Sequence, residues 1–162
     1  MMDIVVKAFI EENIEDIQEG NWTDVYHTAF MHLDLTQQGQ LTMSLLSAGI
    51  NPLETIDYIP SYYLSDCQTI DTFDIPSHIT CLEEGCFAYS SIKSIVIPPS
   101  VTVIGNYAFY ESSLLEITIP EETTKIGTTA FDHCSMNLVI VCKQGSFADN
   151  YAQEQEFNVR CI

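Results

Sequence analysis

His27 and His32 lie five residues apart with Asp34 close by, a group whose side chains could ligate a metal. On a helix, five residues is a poor shared face compared with three or four, and no cysteine sits near to complete a tetrahedral set. His78 and His133 stand alone. Adjacent acids at Glu11/Glu12, Glu83/Glu84 and Glu121/Glu122 have the groups needed for general acid–base work. Neighbouring side chains on a strand or helix point apart, however, so these read as solvated charges. No serine or cysteine has a base and an orienting group at a spacing that would activate it. Calcium loops and phosphate-cradling glycine loops are missing too. The expectation is a chain with no catalytic residue, no metal site and no cofactor. One arrangement would revive an enzyme reading: a deep cleft between the front of the chain and its first repeat, lined by His27, His32 or Tyr58.

What organises the remaining residues is a period. Ile75-Pro76, Ile97-Pro98 and Ile119-Pro120 are 22 residues apart, and so are Phe87, Phe109 and Phe131. Leu82, Ile104 and Ile126 keep the same step, as do Cys86, Ala108 and Ala130. A fixed step over several columns is the signature of a solenoid, in which one coil cannot bury its own apolar face and must stack on neighbours. Alternation at Ile95/Ile97, Ile117/Ile119 and Val139/Val141 marks a strand with one buried face, stopped by the following proline. Ile-Gly suits a tight bend, and Ala-Phe drops a small and a large residue inside.

The units "IPSHITCLEEGCFAYSSIKSIVIP", "IPPSVTVIGNYAFYESSLLEITIP" and "IPEETTKIGTTAFDHCSMNLVIV" resemble the BspA-like leucine-rich repeat family. The resemblance implies an α/β fold, a short solenoid of about four parallel coils over residues 59–162. Residues 59–76 read as a degenerate first coil, with Leu64 in the phenylalanine column. At the far end Ser146 caps a helix burying Phe147 and Tyr151, followed by a last strand at Phe157, Val159 and Cys161. Residues 1–58 show no such register and read as helical. Val5, Val6, Phe9, Ile10, Ile14 and Ile17 form a stripe ended at Gly20, Thr23 caps a second helix, and a third closes at Gly49. This front part is either an N-terminal α-helical cap or a separate functional module.

Charge narrows the partners. The chain has 23 Asp plus Glu against 5 Lys plus Arg, a formal net charge of -18. Nucleic-acid backbones and anionic membranes should repel it. Within residues 1–76 there are 13 carboxylates and a single Lys7, so a partner held there by charge is basic; the alternative is that the acid only confers solubility. Six cysteines without a C-x-x-C pair read as free structural thiols, with metal ligation or disulfides as the alternatives. The opening residues carry acids at Asp3, Glu11 and Glu12 rather than a basic, then apolar, leader, which gives the expectation of a cytoplasmic protein.

The candidate surface is the outer face of the coils. One outward row is Asp74, Val96, Thr118 and Ile140, and a second is Thr72, Ser94, Glu116 and Leu138. Apolar Val96, Ile140 and Leu138 on an open face suggest a cover, which is either the caps, a second copy in a homodimer, or another protein. Tyr89 and Tyr110, with Tyr58, Tyr62 and Tyr63 at the front edge, suit an interface rim. The functional expectation is a non-enzymatic protein–protein interaction module. The resemblance extends this to a bacteriophage or bacterial protein that binds or inhibits a host protein. Two alternatives remain open: an acidic decoy occupying a basic or nucleic-acid-binding site, and a structural, self-assembling protein.

Overall fold

The structure, a computed structural model, describes residues 3–162, the side chain at position 30 excepted; the first two positions of the front module lie outside it. Four helices come first: α1 (Ile4–Glu12), α2 (Ile14–Glu19), α3 (Trp22–His32) and α4 (Leu35–Ser47). The stripe expected to run unbroken to Gly20 is split at Asn13, where the side-chain amide donates to the Phe9 carbonyl and the chain restarts. Gly20 then ends α2 in the left-handed region, φ 74. Asp34 opens α4 with a capping box shared with Gln37. Thr23 does not cap α3, which already begins at Trp22; its hydroxyl instead bonds the Tyr58 hydroxyl at 2.9 Å.

Two four-stranded parallel sheets follow. β1 (Tyr58–Ile59), β2 (Cys81–Leu82), β4 (Val103–Ile104) and β6 (Lys125–Ile126) form one. β3 (Ser94–Val96), β5 (Glu116–Thr118), β7 (Val139–Cys142) and β8 (Asn158–Cys161) form the other, with α5 (Phe147–Glu154) crossing between its last two strands. The chain thus makes about five turns of solenoid rather than about four, because α5 and β8 complete one more. A third side consists of turns, held coil to coil by backbone bonds such as Phe87 N–H to Ala108 O and Phe109 N–H to Ala130 O, both 2.8 Å.

The 22-residue phenylalanines stack, Phe87 on Phe109 at 5.3 Å and Phe109 on Phe131 at 5.4 Å between centroids. Each buried ring removes apolar area worth about 2–3 kcal/mol from water. The ladder continues at both ends. Phe73, Tyr63 and Tyr26 carry it into the helices, and Tyr151 with Phe157 closes it at the rear. Leu64 does occupy the phenylalanine column, donating to Cys86 O as Phe87 donates to Ala108 O. Cys86 is fully buried where its neighbours have Ala108 and Ala130, and burial pushes its thiol well above the ordinary value. Gly105 does not serve a bend. A Cβ there would meet Leu82 O and the Glu83 carbonyl carbon at 2.9 Å, so the glycine permits the close approach of one coil to the next.

Two residues of the expected outward rows face inward. Ile140 pairs with Ile117, and Val141 with Thr118, so the step between these coils is 23 residues, not 22. Ser135–Asn137 supply the extra length in a turn, where Asn137 N–H bonds the Ser135 hydroxyl. A one-residue shift moves every side chain of a strand to its other face. Leu138 and Ile140 are accordingly both 0% exposed.

At the rear, Ser146 accepts from Asp149 N–H and opens α5 as expected. Tyr151 is buried, but Phe147 is not, with 43% of its surface exposed. At the front, α4 lies directly on the first coil. A Cβ on Gly39 would come within 2.0 Å of Ser65 O, Ser65 donates to Leu35 O, and Thr36 donates to Asp66 at 2.8 Å. No helix among the described residues is long and apolar enough to cross a membrane.

Candidate protein-binding surface

The three sides of the stack present different chemistry. On the side of β3, β5, β7 and β8, Asp74 and Ser94 are exposed and Thr118 and Glu116 half-buried. Val96, 67% exposed, remains as the one apolar member of the expected rows that faces outward, since Leu138 and Ile140 have turned in. Val141, which takes the place beside Thr118, is covered. Arg160 of β8 reaches across to Glu116 at 2.8 Å. The apolar row for which the caps, a second copy or another protein was the expected cover is therefore reduced to Val96 on this side.

The turn side is built differently. Interior positions hold Cys86-Phe87, Ala108-Phe109 and Ala130-Phe131, leaving the residues around them to face solvent. Tyr110 is the hub. Its ring meets Tyr89 at 5.4 Å, Tyr107 at 5.6 Å and His133 at 5.1 Å, each edge to face. Tyr107 is 41% exposed, His133 is exposed, and Tyr89 and Tyr110 are half-buried. Tyr62 extends the row toward the helices. Its ring lies where a Cβ of Gly85 would be, 2.2 Å away, and its hydroxyl donates to Glu84 at 3.1 Å. Partial burial first, then that bond, pushes the Tyr62 phenol up to about 12. Partial burial, then the Glu111 and Asp132 carboxylates, raise Tyr110 as well.

Backbone geometry marks the same residues. Tyr62, Gly85 and Tyr107 occupy one column, with φ of 58, 62 and 56; Asp66, Tyr89, Glu111 and His133 occupy another, with φ of 54, 58, 50 and 59. Glycine accepts this left-handed region freely, whereas an L side chain is strained there by about 1 kcal/mol or more. The stacked turns nevertheless hold tyrosines in it.

Positive charge lies elsewhere. Lys7 pairs with Glu11, Lys93 with Asp71 and Lys143 with Glu121, while Lys125 sits on β6 of the opposite sheet. The turn side carries Glu84, Glu111 and Asp132 among its rings, so its chemistry is aromatic faces beside carboxylates.

Where α3 meets the first coils there is an open hollow of about 290 Å³, lined by Thr23, Tyr26, His27, Tyr58, Pro60, Ser61, Glu83 and Glu84. It brings His27 and Tyr58 together as an enzyme reading would require. His32 points into a different hollow, beside Val5 and Phe9. Several polar groups of the first hollow are engaged: Tyr58 with Thr23, Glu83 with the N–H and hydroxyl of Ser61 at 3.1 Å, and Glu84 with Tyr62. Among the described residues no group of three or more His, Cys, Asp and Glu could hold a metal, and the cysteines are free thiols.

The sequence singles out Tyr89 and Tyr110 for this side, and the structure places Tyr107, Glu84, Glu111 and His133 on it as well. The 22-residue register carries Tyr107 back through Gly85 to the buried Tyr63, and only a 23-residue step between the first two coils brings Tyr62 into that column. Tyr63, in contrast, belongs to the core, 0% exposed in the aromatic ladder.

Searches of curated proteins and of solved structures found no match to this chain. A family model, that of the BspA type leucine rich repeat region, matches residues 41–159 in six copies. The match starts inside α4, ahead of the first strand, and covers the whole stack up to β8. Leucine-rich repeats of this kind are an interaction fold. With the stacked phenylalanines, the parallel coils and most of the chain's length in agreement, the chain belongs to the BspA type leucine-rich repeat family.

Proposed function

We propose that the protein is a non-enzymatic binding module that engages another protein through its turn side. One observation carries the reading: Tyr107 stands exposed, and Tyr62, Tyr89 and Tyr110 half-buried, on a side where the repeat needs only turn-forming residues, and Tyr62, Tyr89 and Tyr107 do so at left-handed backbone positions that favour glycine. Rings held there lose stability without filling the core, and aromatic residues are enriched at protein interfaces. The partner surface complementary to rings and carboxylates is basic. A host protein, bound or inhibited by a bacterial or bacteriophage product, is the setting to which this reading extends through the repeat resemblance.

The test is affinity capture from the native host with three forms of the protein. Wild type and Val96→Glu should retain the same partner, and Tyr107→Ala/Tyr110→Ala should lose it. A partner kept by the tyrosine variant and lost with Val96→Glu would move the site to the strand side. A partner kept by both variants, but released by moderate salt, would favour the acidic decoy.

A further inference from the structure

We infer that Cys142 and Cys161 are a redox pair, which a low-molecular-weight disulfide converts to a reversible bridge fastening α5 and β8 to the rest of the stack. The inference is independent of where a partner lands. Its basis is register. In the pairing of β7 with β8, Cys142 stands opposite Cys161, and opposite residues on parallel strands turn their side chains to the same face. The Ile162 N–H donates to the Cys142 carbonyl at 3.1 Å, so the pairing holds to the end of both strands. Parallel strands lie about 4.8 Å apart, inside the Cα separation of about 4.4–6.8 Å that a disulfide spans. Among the described residues no other two cysteines share such a position: Cys81, the remaining cysteine in a strand, lies between Tyr58 and Val103.

The two thiols differ in a way that orders the chemistry. Cys161 is exposed and Cys142 buried. Burial first, then the Asp149 carboxylate, pushes the Cys142 thiol up; the Ser146 hydroxyl opposes this, and Cys161 is near enough to add to the rise. Cys142 therefore stays protonated inside, and Cys161 meets the oxidant. The Cys161 thiolate attacks one sulfur of the small disulfide, whose S–S bond breaks and releases one thiol. Cys142 then gives up its proton and attacks the Cys161 sulfur, and the second thiol leaves. Two electrons and two protons have passed from the protein to the oxidant, which ends as two thiols. β8 is the outer strand of its sheet and can shift to bring the sulfurs to bonding distance. A bridge with one exposed sulfur is of the reducible kind. The loop it closes, residues 142–161, holds all of α5, so it restrains the rear of the solenoid against local opening.

The test equilibrates the native protein with oxidised and reduced glutathione, quenches in acid, alkylates the remaining thiols and maps the peptides by mass spectrometry. The expected product is a monomer lighter by the two hydrogens lost, with the peptides containing Cys142 and Cys161 joined. Dithiothreitol should restore both thiols. The thermal midpoint of the bridged form should rise by about 4 °C or more. Cys161→Ser, at an exposed position, should abolish the bridge and the rise together, and Cys81→Ser should keep both. No reaction, a reaction that stops at a glutathione adduct on Cys161, a disulfide-linked dimer, a bridge between other cysteines, or a bridge without a higher midpoint would overturn the inference.

Discussion

Gly39→Ala sets helix propensity against packing, and the structure decides between them. In an isolated helix the change would stabilise by about 1 kcal/mol, because glycine has more backbone entropy to lose. In α4 the new methyl would lie 2.0 Å from the Ser65 carbonyl oxygen, well inside contact distance and against backbone that cannot rotate away. Overpacking of this kind costs about 1–3 kcal/mol. Relief by lifting α4 weakens two hydrogen bonds, Ser65 to Leu35 and Thr36 to Asp66, at about 1 kcal/mol each. Set against the propensity gain, the net is a destabilisation of about 2 kcal/mol, or a melting temperature lower by about 4–8 °C. The chain's one tryptophan, Trp22, is buried in α3 and reports the helices, while far-UV circular dichroism reports the whole. In urea the Trp22 transition of the variant should move to lower concentration, ahead of the dichroism change. An unchanged or raised midpoint would show that α4 does not rest on the first coil as described.

Three further outcomes follow from single side chains. Tyr63→Phe removes a buried hydroxyl that has no hydrogen-bond partner among the described residues, and should stabilise by about 1 kcal/mol, read as a higher thermal midpoint. Val96→Glu should shift stability by less than about 0.5 kcal/mol, whereas Ile140→Glu should cost more than about 4 kcal/mol and leave little folded protein; similar urea midpoints would contradict the register given for β7. The Asp149 carboxyl is held below its usual range by the Gly145 N–H, then by the Gln153 amide. A carboxyl with a lowered folded pKa stabilises fully above its unfolded pKa and loses that contribution as pH falls toward the folded one. Asp149→Asn should therefore flatten the dependence of the melting temperature on pH in the acid range; an unchanged slope would argue that the α5 cap forms differently.

The repeat was readable because its columns recur in one register: Phe87, Phe109 and Phe131 announce a ladder before any coordinates, and Ser146 announces α5. The misplacement of Leu138 and Ile140 comes from a step that departs from 22. Nothing in the run from Ser135 to Leu138 shows that the coil lengthens there, since serine, methionine and asparagine suit the turn in either register; β pairing with β5 settles it, and Leu138 and Ile140 go inside. Gly105 looked like a bend glycine because its role depends on Leu82 of the preceding coil, which lies far off in sequence. The proposed surface was half visible. Tyr89 and Tyr110 stood out by type, but the left-handed φ at Tyr62 and Tyr107 is set by the stacked turns, and no local propensity encodes it.

The central claim is that the turn side, not the acidic helices or the strand side, is where another protein lands. Backbone amide shift mapping by NMR on the 15N-labelled protein, titrated with the partner protein captured from the host, tests it most directly. Perturbations gathered at Tyr62, Glu84, Tyr89, Tyr107, Tyr110 and His133 are the predicted result. Perturbations centred on α1 and α2, or on Val96 and its strand neighbours, would contradict it.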